Sequence, residues 1–342
     1  MAALDRSDKS AAAEHALAAW TAAETALGAH PTTGVLAYNY GKLLAFDDPV
    51  AALPALRRAD ELMRSVGAEL PPDESELLLA YVHYAASNRN MTDRRTLRTV
   101  LLAQAARNVP PSLESAQVWL VLAANDSNAR RFNDAIDSAI RAEAAIIAVL
   151  PEDYRLRARA ILISGVAHLA PRPRSVNDVE MANQEFVRAA RLFPPQNDIE
   201  SFDPLFAKIL AWSAVAKAAL SNLGARDFKS ECAPDDEPCQ LAYFVGPQPT
   251  DEECAIDWDR RDPPKYPSLA ASEGYLGGAI VGYRLSEDLV VHDQRVLAEV
   301  PNMLFGDYSL KSMNEWRLAH PPARLPGCKE NRITTFIFSI YR

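Results

Sequence analysis

The sequence predicts an α+β protein of two domains, a long all-helical front followed by a small β-β-α-β domain. Three observations carry the prediction. From 10 to about 223 apolar residues recur at three- and four-residue steps, the period of a helix face. From 224 to 256 the composition turns to Cys, Pro, Asp and Gly, the texture of a linker. From 257 to 342 alternating stretches flank one amphipathic stretch. The expected division is therefore a helical domain over 1–223, a linker over 224–256 and a mixed domain over 257–342. A chain of 342 residues, 49% apolar and 24% charged, has the material for two packed cores.

Breaks in the helical pattern fall near Pro31, Asp47-Asp48-Pro49, Pro71-Pro72, Pro110-Pro111, Pro151, Pro171-Arg172-Pro173 and Pro194-Pro195. They leave segments of about 15 to 20 residues, an ordinary helix length. Several segments share one stripe: a small residue, another four later, a third three later, then a proline. Ala182, Phe186, Ala189 and Pro194 give one copy, and Ala19, Ala23, Ala26 and Pro31 give a second. Ala135, Ala139, Ala142 and Ala52, Leu56, Ala59 give the helical part alone. Small residues at these steps line one side of a helix and let a neighbour come close. The front segment thus resembles a tetratricopeptide-type array. Its first-helix signature survives as Tyr40-Gly41 with Leu44 and as Gly165 with His168, and the repeat interval varies. The resemblance implies a protein-interaction or spacing module; a generic helical bundle is the alternative.

Charge and composition exclude several functions. The 36 basic residues against 45 acidic ones give a net charge of −9. Residues 255–342 hold 11 of each, so 1–254 hold 25 and 34 and carry the excess. Nucleic acid and anionic membrane surfaces both need a concentrated basic face, and neither is expected as a partner. No uninterrupted apolar run reaches the about 18 residues of a membrane span, and the start at Met1 lacks a secretory layout. The histidines His15, His30, His83, His168, His292 and His320 are scattered, with no G-x-S-x-G, H-E-x-x-H or phosphate loop. No catalytic residue, cofactor or enzyme activity is expected. Cys232, Cys239, Cys254 and Cys328 cluster late, with 6, 14 and 73 residues between them and no C-x-x-C knuckle. Two disulfides are expected in preference to a metal site. Sequence does not choose among the three pairings, and we favour Cys232 with Cys239 and Cys254 with Cys328.

In the back third, Pro264-Lys265-Tyr266-Pro267 precedes Ala270, Gly274 and Gly277, with Gly278 beside it, and the glycines are expected in a turn. Ala279, Val281, Tyr283 and Leu285 then alternate as a strand with one buried face. After the turn Ser286-Glu287-Asp288, a second strand over 290–297 completes a hairpin that ends at Pro301 and Asn302. Leu304, Phe305, Tyr308, Met313 and Trp316 fit one side of a helix, and 332–341 forms a last strand.

The ungapped spacing of Tyr266, Pro267, Ala270, Gly274, Gly277, Val281, Tyr283, Val296, Pro301, Phe305 and Trp316 resembles the carboxy-terminal domain of the TonB family, over about a quarter of the chain. Departures are Leu289 at the family's hairpin glycine, Gly306 at an acidic position, and Ser309 and Ser312 at alanines. The proline-rich spacer and membrane anchor of an energy transducer are not in this sequence. The resemblance implies a non-enzymatic periplasmic adapter, inner-membrane anchored if an anchor precedes Met1. Its partner would be a peptide segment of an outer-membrane TonB-dependent transporter, taken up as an added strand. The receiving edge would be the last strand, Ile333, Thr334, Thr335, Phe336, Ile337, Phe338, Ser339 and Ile340. There the backbone would supply affinity, and Thr334, Phe336 and Phe338 would select the guest unless they form the core face. A second protein would dock on the helical array. The alternative is an envelope scaffold or homodimer that uses the same edge without transducing energy.

Overall fold

A computed structural model describes residues 6–170, 175–194, 202–223, 256–273, 275–286, 288, 290–302, 305–321 and 332–338. All four cysteines, Gly274, Leu289, Leu304, Ser339 and Ile340 lie outside these, and so does the expected disulfide framework. Helices dominate, followed by a small antiparallel sheet region, so the α+β class is as expected. By compactness the chain divides into Met1–Leu122 and Ala123–Arg342, within a helix and not at the composition change near 223.

The first unit holds α1 (Arg6–Leu27), α2 (Pro31–Leu44), α3 (Pro49–Ser65), α4 (Pro72–Ala86) and α5 (Met91–Ala106), and α6 (Leu113–Asn128) begins there. Pro31, Pro49 and Pro72 stand at the first helical positions, where a missing N–H costs nothing. Asp48 and Asn90 accept from backbone N–H groups three residues on and cap α3 and α5. One break has no proline to mark it. Between α4 and α5 the chain turns through Asn88 and Arg89, at φ 56° and 60°.

Adjacent helices interlock through missing side chains. A methyl group on Gly41 of α2 would stand 2.7 Å from Leu56 Cγ of α3, and one on Gly34 would stand 2.7 Å from Met63 Sδ. Both contact pairs are seven residues apart on antiparallel helices, so two full turns of α2 lie against α3 in register. Leu56 is the middle member of the predicted stripe, and its flanking Ala52 and Ala59 are fully buried.

The second unit continues with α7 (Phe132–Val149), α8 (Tyr154–Leu169), α9 (Val176–Ala190) and α10 (Pro204–Asn222). A second break without proline precedes α7 at Arg130, φ 58°. The stripe packs here too: a methyl on Gly165 of α8 would stand 2.6 Å from Phe186 Cε1 of α9, and Ala182, Phe186 and Ala189 are fully buried. Arg157 of α8 and Arg188 of α9 converge on Glu143 of α7, at 3.1 and 2.6 Å, and pin the three helices together.

A three-stranded antiparallel sheet follows, in the order β3 (Val291–Val300), β2 (Gly277–Leu285), β5 (Arg332–Phe338). Gly277 and Gly278 belong to β2, not to the turn expected of them. Gly277 must lack a side chain because Phe305 is pressed against it, with Cε2 1.9 Å from where a methyl would sit. Nor does β2 have one buried face. Every residue from Gly277 through Tyr283 is buried, because α10 covers the second face. The residues that alternate with Ala279, Val281 and Tyr283 are Gly278, Ile280 and Gly282, small or apolar instead of polar. A methyl on Gly278 would lie 3.3 Å from Val215 Cγ2 of α10.

Sandwiched between α8–α9 and the sheet, α10 is apolar nearly all round. Its 19 residues are long and apolar enough to cross a membrane by length and composition, which corrects the expectation that no segment is. Burial inside the unit accounts for that hydropathy, since Phe206, Ile209, Leu210, Ala211, Val215 and Leu220 are core residues.

On the opposite face lie α11 (Ser268–Glu273) and α12 (Gly306–Met313), and a two-stranded ribbon of β1 (Trp258–Arg260) with β4 (Arg317–Leu318) closes that side. The helix is shorter than predicted: Trp316 lies beyond its end and Tyr308 is exposed. Phe305, Met313 and Trp316 do form the core, joined by Trp258. Trp316 Nε1 donates to Asp262 O at 3.0 Å, and the Arg261 guanidinium lies over both indoles at 4.9 and 4.7 Å.

Candidate peptide-binding edge

Most of the described residues that carry the sequence motif gather in one cluster. Tyr266 meets Phe305 and Phe338 edge-on at 6.2 and 5.9 Å, and its hydroxyl donates to the backbone carbonyl of Tyr275. Ala270, Val281, Tyr283, Phe305 and Trp316 are all buried in the same core. Gly277 is the seat of Phe305, and Pro301 follows directly on β3. At the family's acidic position, Gly306 donates its N–H to Glu299 Oε2 at 2.6 Å, and Phe305 N donates to the same oxygen at 3.0 Å. A β3 carboxylate therefore caps α12 from outside the helix. A side chain at 306 would meet that oxygen and Val296 Cγ2, both at 3.0 Å.

These contacts hold β5 in place. It runs antiparallel to β2 with Gly277 opposite Phe338, Val281 opposite Thr334 and Tyr283 opposite Arg332. No strand lies on its other side among the described residues. In an antiparallel ladder alternate residues turn N–H and C=O away from the neighbour, so β5 directs a row of donors and acceptors outward.

The side chains of β5 divide by face. Phe336 and Phe338 are buried at 8% and 3% exposure, with Phe338 4.6 Å from Phe305 and Phe336 5.5 Å from Trp316. They are core and are not placed to select a guest. Ile333 packs towards α10. Thr335 is exposed, and Ile337 keeps 45% of its surface, large for an isoleucine inside a strand. Any choice of guest by side chain therefore rests on Thr335 and Ile337, with half-buried Thr334 contributing less.

Other polar clusters are tied up within the fold. Lys42 bonds Glu74 and, at 3.0 Å, Glu114, in a half-buried group beside Tyr38. Burial, then the Glu74 and Glu114 carboxylates, push the Tyr38 hydroxyl far above its usual range. Among the described residues no three of His, Cys, Asp and Glu stand close enough to hold a metal ion.

No protein-family model matches the chain. No curated protein matches it either.

Proposed function

We propose that the chain is a non-enzymatic periplasmic adapter of the TonB type, whose last strand takes up an extended segment of an outer-membrane transporter. The single observation that carries the proposal is β5, fixed in register on one side by β2 and, among the described residues, without a strand on the other. Convergence of the motif residues around Phe305 supports the kinship with that family. A guest strand would satisfy the outward backbone groups and bury Ile337, gaining affinity from the main chain and preference from Thr335 and Ile337.

The helical part would serve as a tetratricopeptide-like interaction module. Its support is the repeated seat of a glycine against the middle of a small-residue stripe, at Gly41 with Leu56 and at Gly165 with Phe186.

Calorimetric titration of the full chain with several transporter-derived peptides tests the proposal. Binding is expected, and Ile337→Lys should weaken it at least about tenfold by placing a charge at the edge. No binding by any peptide at millimolar concentration would overturn it. The exposed Ile337 also favours a second reading, in which two copies pair their β5 edges. Sedimentation would then show a dimer that Thr335→Pro dissociates; a monomeric wild type rules that reading out.

A further inference from the structure

A cleft of about 650 Å³ opens in the second unit, a volume typical of small-molecule sites of about 300–1,000 Å³. Val166 and Leu169 of α8, Trp212 and Val215 of α10, and Leu276 and Pro301 at the ends of β2 and β3 form its apolar walls. Trp212 is held by stacking on Phe186, centroids 6.3 Å apart, which fixes one wall. At the rim stand Ser127, Asn128 and Arg130, from the end of α6 and the turn before α7.

Charge distinguishes this cleft from the rest of a net-acidic chain. Among the described lining residues Arg130 bears the one formal charge, and no carboxylate faces it there. Its neighbour Arg131 is already committed to buried Asp126 at 2.8 Å, whereas Arg130 makes no ion pair among the described residues. An apolar slot with a lone guanidinium at its mouth complements an apolar body that ends in a single negative charge.

We propose that this cleft is a binding site for a small amphipathic monoanion, an aliphatic or aromatic acid. The apolar part lies along Trp212, Val215 and Leu276, and the carboxylate meets Arg130. The site is independent of the β5 edge.

Calorimetry of the full chain with decanoate and with decanol, the same chain length without the charge, tests it. Saturable binding of one decanoate is expected, roughly tenfold tighter than decanol. Arg130→Gln, a change on the surface, should bring decanoate down to the decanol value and leave decanol unaltered. Val166→Phe should fill the slot and remove both. No saturable decanoate binding, equal binding of the two probes, or an unchanged ratio in Arg130→Gln would each overturn the proposal.

Discussion

A buried ring that cannot move decides what Gly277 is for. Phe305 is fully buried between Gly277, Tyr266 and Phe338, so a methyl group at 277 has nowhere to push it. Gly277→Ala should cost about 3 kcal/mol or more, at the severe end of overpacking, read as a lower denaturation midpoint of the full chain. Gly278→Ala should cost less, about 1–2 kcal/mol, because its nearest neighbours, Phe336 O and Val215 Cγ2, stand at 3.0 and 3.3 Å and need give only slightly. The sequence marks both glycines, but reads them as turn residues. A strand glycine and a turn glycine look alike in one dimension, and what separates them is Phe305 and α10 arriving from far along the chain. Trp316 is read as core more safely, since a large aromatic ring has few other places to go.

Helices α2 to α5 and α8 to α10 begin at a proline or a capping side chain, and these signals are local enough to be legible. Pro31, Pro49 and Pro72 each start one. The turns at Asn88–Arg89 and Arg130 are not legible, because a non-glycine residue in the left-handed region carries no strong mark of its own. Between elements, the small-residue stripe is the most informative pattern. Phe186, seated on Gly165 and fully buried, should cost about 3–5 kcal/mol when replaced by alanine. Acid should act through the Lys42 group. Burial opposes the charged form of Glu114, but its own backbone N–H and Lys42 outweigh burial and hold its carboxyl below the ordinary value. A lowered folded pKa stabilises above the unfolded value of 4.5, and that stability is lost as pH falls through the folded value. Glu114→Gln should therefore flatten the acid limb of a stability–pH curve below 4.5 and cost about 1 kcal/mol at neutral pH.

At the scale of the whole molecule, compactness and composition divide the chain differently. Composition changes where the helices stop, near 223; compactness groups α7 to α10 with the sheet. The link is α10, whose Ala211 and Val215 lie against Gly278, so the sheet region lacks its second cover without the preceding helix. A fragment over 257–342 should accordingly expose Ile280, Val300 and Ile333 and aggregate, while 123–342 should stay soluble with a cooperative melt. A well-behaved 257–342 would contradict that dependence. The hairpin and the final strand read from sequence are both present, and among the described residues the last strand lies at the edge of the sheet. The α10 cover is not legible, because the cue, small residues at 278 and 282 where polar ones belong on an exposed face, depends on knowing what packs there. The central claim is that the outer side of β5 is a receptor for one more strand. Backbone amide hydrogen exchange of the full chain, with and without a saturating transporter-derived peptide, tests it most directly. Alternate amides of β5 should slow by about tenfold or more on binding while the outer side of β3 is unchanged; β5 amides that exchange equally fast with the peptide bound would contradict it.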